Sequence, residues 1–343
     1  MSIPASHVHL IEQAPFFSRK LYESPDILVI ATRGPQTLFS GSFDGSELRP
    51  GEAVAAFTVL MHHAARDNAD QVLIIDYGPR NTQRQHEIMS AWRSTTGITP
   101  ACYQVDGIVL RDYAGAEAVL DYHESVTSLQ TRSQMAAELT RTPDLVFDEP
   151  RPTEIKKWLQ GMKPSTRGET AIQLTTGSFD IEQFPPAAQA TVFGWINDSL
   201  PPARDDLLLR VIDLPEPQQV LNGFRDLYLR TPERYADMTG ATLAAALYCT
   251  GNTVKCNVLL ETRPSIVTNT SLGELVQTLS SSGIPHYSAR DQLLSAREGL
   301  DQQLKEVDKV WERATAQAAT QSLPPINRPA SGRTVGPNQS PGR

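Results

Sequence analysis

Val72-Leu73-Ile74-Ile75-Asp76-Tyr77-Gly78-Pro79 is the stretch on which the architecture turns. An unbroken apolar run suits a strand covered on both faces, where period-2 alternation has no polar side to show. Asp76-Tyr77-Gly78-Pro79 closes the run with the residues that turns use. Upstream, residues 51–66 change to helical spacing, with Ala53, Val54, Phe57, Leu60, Met61 and Ala64 on one stripe. Downstream, residues 82–95 repeat that spacing with Ile88, Met89 and Trp92 facing inward. Further out, residues 27–30 and 37–43 are strand-like and meet across Arg33-Gly34-Pro35, which predicts a hairpin. Residues 102–105 and 108–110 supply one or two more strands around Asp106-Gly107. The order strand, strand, helix, strand, helix, strand predicts an α/β fold with parallel crossovers, an N-terminal mixed sheet with flanking helices.

The remainder is mostly helical. Pro185-Pro186 opens one helix, Pro201-Pro202 breaks it, residues 204–212 continue, and Pro217 begins the next. On that last helix Val220, Leu221, Phe224, Leu227 and Tyr228 share a face. Residues 239–249 are apolar almost all round, as a buried helix is. Gly251-Asn252 then turns the chain into a returning helix over 254–261. Ser271 and Glu274 fit a capping box, and Gly283 a left-handed C-terminal cap. A final helix is expected over 288–317, docked on the helical part, with Arg297 breaking its Leu293, Leu300 and Val307 seam. The predicted divisions are an α/β domain at 1–141, a proline-bearing linker at 142–152, a mainly helical domain at 153–317 and a disordered tail at 318–343. That tail is rich in Pro, Gly, Ser and Asn, and its charged residues Arg328, Arg333 and Arg343 are all basic.

Composition excludes several classes. Hydrophobic residues at 40% and charged residues at 20% describe a globular chain. No apolar run approaches the ~18 residues of a membrane span, and the N-terminus lacks the pattern of a secretion signal. Net charge is -8, which argues against a general phosphate-backbone binder. Cys102, Cys249 and Cys256 are an odd set without a Cys-x-x-Cys pair, so buried free thiols and a cytoplasmic setting are expected.

The catalytic motifs are missing. There is no phosphate-binding loop, no dinucleotide glycine motif and no His-Glu-x-x-His helix. Gly41-Ser42-Phe43-Asp44-Gly45 places its serine one position too early for a nucleophile elbow. His62 and His63 are adjacent on a helix and diverge; His7 and His9 could share a strand face, but no third ligand follows. No metal and no cofactor is therefore expected.

Topology nominates a site instead. In open α/β sheets ligands bind outside the carboxyl ends of the strands. Arg33 follows the first strand, Asp44 the second, Asp76 and Tyr77 the third, and Asp106 the fourth, while Arg80 and Asn81 open the helix after the third. Acids beside arginines suit a polar ligand or acid-base work, and the helix N-terminus an anion. The same residue types also serve as ordinary strand-ending turns.

Residues 244–261, from the Ala/Leu-rich segment through Tyr248-Cys249-Thr250-Gly251-Asn252-Thr253 to Asn257-Val258-Leu259-Leu260-Glu261, resemble an actinobacterial family catalogued as domain of unknown function 4192. Ser271-Leu272, Gly283-Ile284-Pro285 and Arg204-Asp205-Asp206-Leu207-Leu208 are similar to further segments of it, and the likeness spans residues 6–300. The chain departs from the family where its tryptophan is Tyr248 or Cys249, where its second turn glycine is Thr253, and in its proline-rich opening. The resemblance implies a divergent member, of the kind a phage or plasmid carries, and brings no activity or site residue with it. Taken together, these features lead to the expectation of a non-catalytic cytoplasmic protein that binds a partner protein or a small polar ligand. The alternative is an enzyme acting on a small anionic substrate at the strand ends, with Asp76 and Asp106 as its carboxylates and Arg33 or Arg80 holding the anion.

Overall fold

The computed structural model describes residues 2–18, 20–45, 53–79, 81–123, 129–142, 162–178, 186–199, 201–282 and 284–321. Helix α1 (Ala5–Ser18) leads into β1 (Asp26–Arg33) and β2 (Gln36–Asp44), then α2 (Ala53–Arg66), β3 (Gln71–Asp76), α3 (Thr82–Thr96), β4 (Ala101–Asp106), β5 (Val109–Asp112) and β6 (Glu117–Val119). The sheet order is β2-β1-β3-β4-β5-β6. β1 is antiparallel to both β2 and β3, whereas β3 and β4 run parallel. Both helical connections, α2 and α3, therefore join strands of the same direction, and the sheet is mixed, as the order of elements predicts.

Alternation explains why β1 and β3 are apolar throughout. Leu28, Ile30, Leu73 and Ile75 pack on one face with Ile11 and Ala14 of α1. Ile27, Val29, Val72 and Ile74 pack on the other with Phe57, Met61, Ile88 and Trp92 of α2 and α3. At ~25 cal/mol per Å² of apolar surface, such two-sided burial is the main force holding the layers together.

His7 and His9 lie on α1, not on a strand whose face they could share. Residues two apart on a helix diverge, so His7 is buried and His9 exposed. The Gln71 amide donates to His7 Nε2 at 2.6 Å, which leaves Nδ1 to donate to Tyr103 Oη at 2.5 Å. Burial holds His7 below its ordinary value, so the folded protein prefers the neutral ring. The unfolded chain takes up the proton near pH ~6.5, so stability falls as pH drops below that point until the folded ring also titrates. Urea midpoints measured from about pH 7.5 down to about pH 5 are expected to fall less steeply in His7→Gln than in the parent; parallel profiles would remove His7 as the cause.

Eleven helices and one short turn form the second part among the described residues: α4 (Arg132–Leu139), a 3-10 turn (Pro164–Thr166), α5 (Arg167–Thr176), α6 (Pro186–Ser199), α7 (Pro201–Asp213), α8 (Gln218–Arg230), α9 (Glu233–Cys249), α10 (Thr253–Thr262), α11 (Ser265–Asn269), α12 (Ser271–Ser281), α13 (His286–Ser295) and α14 (Arg297–Gln321), with α4 preceding the turn. Pro201 and Pro202 open α7, where their missing donors cost nothing. Val220, Leu221, Phe224, Leu227 and Tyr228 are the buried face of α8. α9 is buried all round from Thr239 onward. Gly251 takes the φ of +81° that reverses the chain into α10. The cap of α12 is Thr270 rather than Ser271: its extended backbone aims the hydroxyl at Gly273 N, 2.9 Å away, which makes Ser271 the first helical residue. Gly283 lies outside the described residues.

The single helix expected over 288–317 is two, α13 and α14, parted at Ala296. Arg297 is drawn to the end of α7, where it meets Asp213 Oδ2 at 2.9 Å and the Leu209 carbonyl at 3.3 Å. Leu300 and Leu304 are buried against the helical core. α14 continues to Gln321, and the rest of the predicted tail, 322–343, lies outside the described residues, as does the predicted linker beyond residue 142. No described helix is long and apolar enough to cross a membrane.

α4 joins the two parts. Its Met135 and Leu139 are buried in the helical core. Its N-terminal turn is held by the sheet layer: Leu21 bridges to Thr131, and the Glu23 carboxylate accepts from Ser133 N at 2.9 Å and Ser133 Oγ at 2.7 Å. An acid at a helix N-terminus is favoured by the unpaired amides there.

Candidate functional site

Strand direction sorts the nominated residues. Asp26 pairs with Asp44, Ile27 with Asp76, and Asp76 with Gln104, so the ends of β2, β3 and β4 share one edge with the start of β1. Arg33 ends β1 and so sits at the opposite edge, its guanidinium on the Asp67 carbonyl at 3.4 Å. The antiparallel course of β1 thus removes Arg33 from the expected group. Asp44 reaches the shared edge by its backbone; its side chain and Arg80 lie outside the described residues. Asn81 is exposed and its carbonyl accepts from Gln85 N at 3.2 Å in the first turn of α3.

Asp76 and Tyr77 part company by alternation. Tyr77 continues the face of Leu73 and Ile75 toward the α1 side, where it belongs to the same core. Asp76 is buried and accepts from Gly78 N at 2.8 Å, which shapes the turn. Asp106 is exposed, with Arg111 at 3.5 Å. One carboxylate of the expected pair is thus tied to its own turn and the other open to solvent beside an arginine.

What the edge does assemble is a pocket of about 310 Å³ lined by Tyr22, Glu23, Tyr77, Asp106 and Tyr122 among others. Tyr22 and Tyr77 stack, with ring centroids 5.0 Å apart and planes 20° apart. Their hydroxyls are buried without a partner of good hydrogen-bond geometry. Tyr77 lies beside Tyr122 and Tyr22 beside Ser18, and burial raises all three phenols above their ordinary value, so each stays neutral.

Behind Tyr22, Lys20 Nζ meets Asp26 Oδ1 at 2.7 Å with both side chains out of solvent. Asp26 Oδ2 also accepts from Glu23 N at 3.0 Å, so one carboxylate organises the whole 20–26 loop. Burial pulls Lys20 down, opposed by Asp26. Lys20 Nζ stands 5.4 Å from the Tyr22 ring centroid.

Of the residues gathered here, the strand-end rule nominates Tyr77 and Asp106 and passes over Lys20, Tyr22, Glu23, Asp26 and Tyr122. One signal was present, since counting the alternation of β3 two residues past Ile75 places Tyr77 on the α1 face. Among the described residues no three His, Cys, Asp or Glu side chains gather as metal ligands. No family model, curated protein or solved structure matches the chain.

Proposed function

We propose that the protein is a non-catalytic binding protein that holds a small polar ligand in the tyrosine-lined pocket at the carboxyl edge of β3 and β4. The observation that carries this reading is the stacked pair Tyr22 and Tyr77 in the wall of a cavity of ligand size, with Glu23 and Asp106 beside it. The enzymatic alternative has less support: Arg33 is at the far edge, Asp76 is engaged in its own turn, and Asp106 is exposed beside Arg111. Cytoplasmic residence is part of the proposal, supported by three buried free cysteines. Burial raises the Cys102 thiol to about 12 and Cys249 to about 11, as suits inert packing. We also propose divergent membership of the family catalogued as domain of unknown function 4192, on the 244–261 pattern, which falls on the α9–α10 hairpin.

A thermal-shift screen of polar metabolites tests the binding reading. A ligand at ~100 times its Kd is expected to add about 2.7 kcal/mol to stability. Tyr22→Leu, which removes one ring of the stack, is expected to weaken that ligand by ~2- to 10-fold. A melting temperature that no metabolite moves would end the proposal.

A further inference from the structure

We infer that the group this pocket receives is a primary ammonium, either a free organic amine or a lysine side chain of a partner; this rests on the binding reading above and names its ligand class. Charge is the first argument. The described lining carries two carboxylates, Glu23 and Asp106, and no basic side chain. The buried ammonium of Lys20 is locked to Asp26 at 2.7 Å, so that pair adds no net positive charge. Arg111, 3.5 Å from Asp106, is shared with Glu117 at 2.7 Å, so the balance around the pocket stays negative: an anion entering meets like charge, whereas a cation gains.

Hydrogen bonding is the second argument. The charged side chains of the lining, Glu23 and Asp106, are acceptors only. An ammonium brings three N–H donors and no acceptor, the complement of carboxylates. The third argument is the aromatic lining itself: tyrosine rings attract a cation through their quadrupole, most strongly where water is thin. The apolar side chains of Pro15, Leu21 and Val105 complete a wall for the carbon skeleton of such a ligand.

Three probes of one shape and different charge test this with the full chain. Phenethylamine is cationic, phenylethanol neutral and phenylacetate anionic. Phenethylamine is expected to bind roughly tenfold tighter than phenylethanol, with phenylacetate weakest, and its advantage is expected to shrink as salt rises. Asp106→Asn is the matched variant. Asp106 is exposed and its neighbour Arg111 keeps Glu117 at 2.7 Å, so the fold is expected to survive, which an unchanged melting temperature confirms. It should reduce phenethylamine affinity ~2- to 5-fold and leave phenylethanol unchanged. Chemical shifts of the tyrosine rings report whether the amine occupies this pocket.

An end-blocked lysine peptide separates the two sources: binding as tight as phenethylamine identifies a partner's lysine, and weaker binding a free amine, each supporting the class. Phenylethanol equal to the amine, phenylacetate tighter than it, or an amine that leaves the tyrosine rings unshifted would overturn the inference while the pocket remains a candidate for another ligand. If none of these probes nor any metabolite binds, the inference and the binding proposal fall together.

Discussion

Replacing Lys20 with methionine is expected to destabilise the protein by about 3–5 kcal/mol. The ammonium is fully buried and sits 2.7 Å from a carboxylate that is itself almost wholly out of solvent. Removing the cation leaves Asp26 as an uncompensated charge in a low-dielectric interior, with only the Glu23 amide at 3.0 Å on its other oxygen. Asp26→Asn is expected to do similar harm from the other side, although Lys20, already pulled down by burial, can shed its proton and soften the effect. Lys20→Met combined with Asp26→Leu is the informative third arm. Replacing both partners of a buried pair by apolar groups often costs little, so the double variant is expected to recover most of the lost stability. Urea denaturation of the four proteins forms a double-mutant cycle. A Lys20→Met midpoint within ~1 kcal/mol of the parent would show that the pair is not a principal anchor of the 20–26 loop.

Phe224→Ala is expected to cost a similar ~3–5 kcal/mol, toward the upper end of that range. Phe224 is fully buried on α8 and meets Phe193 of α6 edge to face, centroids 4.7 Å apart at 88°. How much such a deletion costs depends on how far the surroundings can close over the void. Here the neighbouring residue limits closure. A Cβ on Gly223 would stand 1.8 Å from the Thr175 carbonyl oxygen, so α8 already rests against the end of α5 backbone to backbone. With no slack on that side, α8 cannot shift to fill the space. Phe224→Leu, which retains most of the volume, is expected to cost markedly less. Equal losses for the two variants would mean that the site relaxes freely and that the tight α5–α8 contact does not constrain it.

The pattern of success in the sequence reading follows the range of the forces involved. β1, β3, α2 and α3 are legible because alternation and helical spacing are local signals, strong where two-sided burial makes a strand wholly apolar. α1 escapes because it carries Pro15, and its apolar residues do not line up on one face. β6 is too short, at Glu117–Val119, to show a period. Arg33 is a different matter: the hairpin at Arg33-Gly34-Pro35 by itself makes β1 antiparallel to β2, so Arg33 and Asp44 belong at opposite ends of the sheet, and the strand-end rule needs that direction before it is applied. The pocket is the hardest case. Tyr22, Tyr77 and Tyr122 are distant along the chain, and only the packing of α1 and the 20–26 loop across the sheet brings them together. The break at Ala296 has the same origin, since it answers to Asp213 and Leu209 on another helix.

α4 carries a practical lesson for anyone who would cut this chain in two. By position it travels with the sheet, yet Met135 and Leu139 find their cover among the later helices. A scissile point chosen in the proline-bearing stretch beyond residue 142 would give a leading fragment with a greasy, uncovered helix and a trailing one with a matching hole. The severance that respects the physics runs ahead of Thr131, and even there it must forfeit the clasp between Glu23 and Ser133.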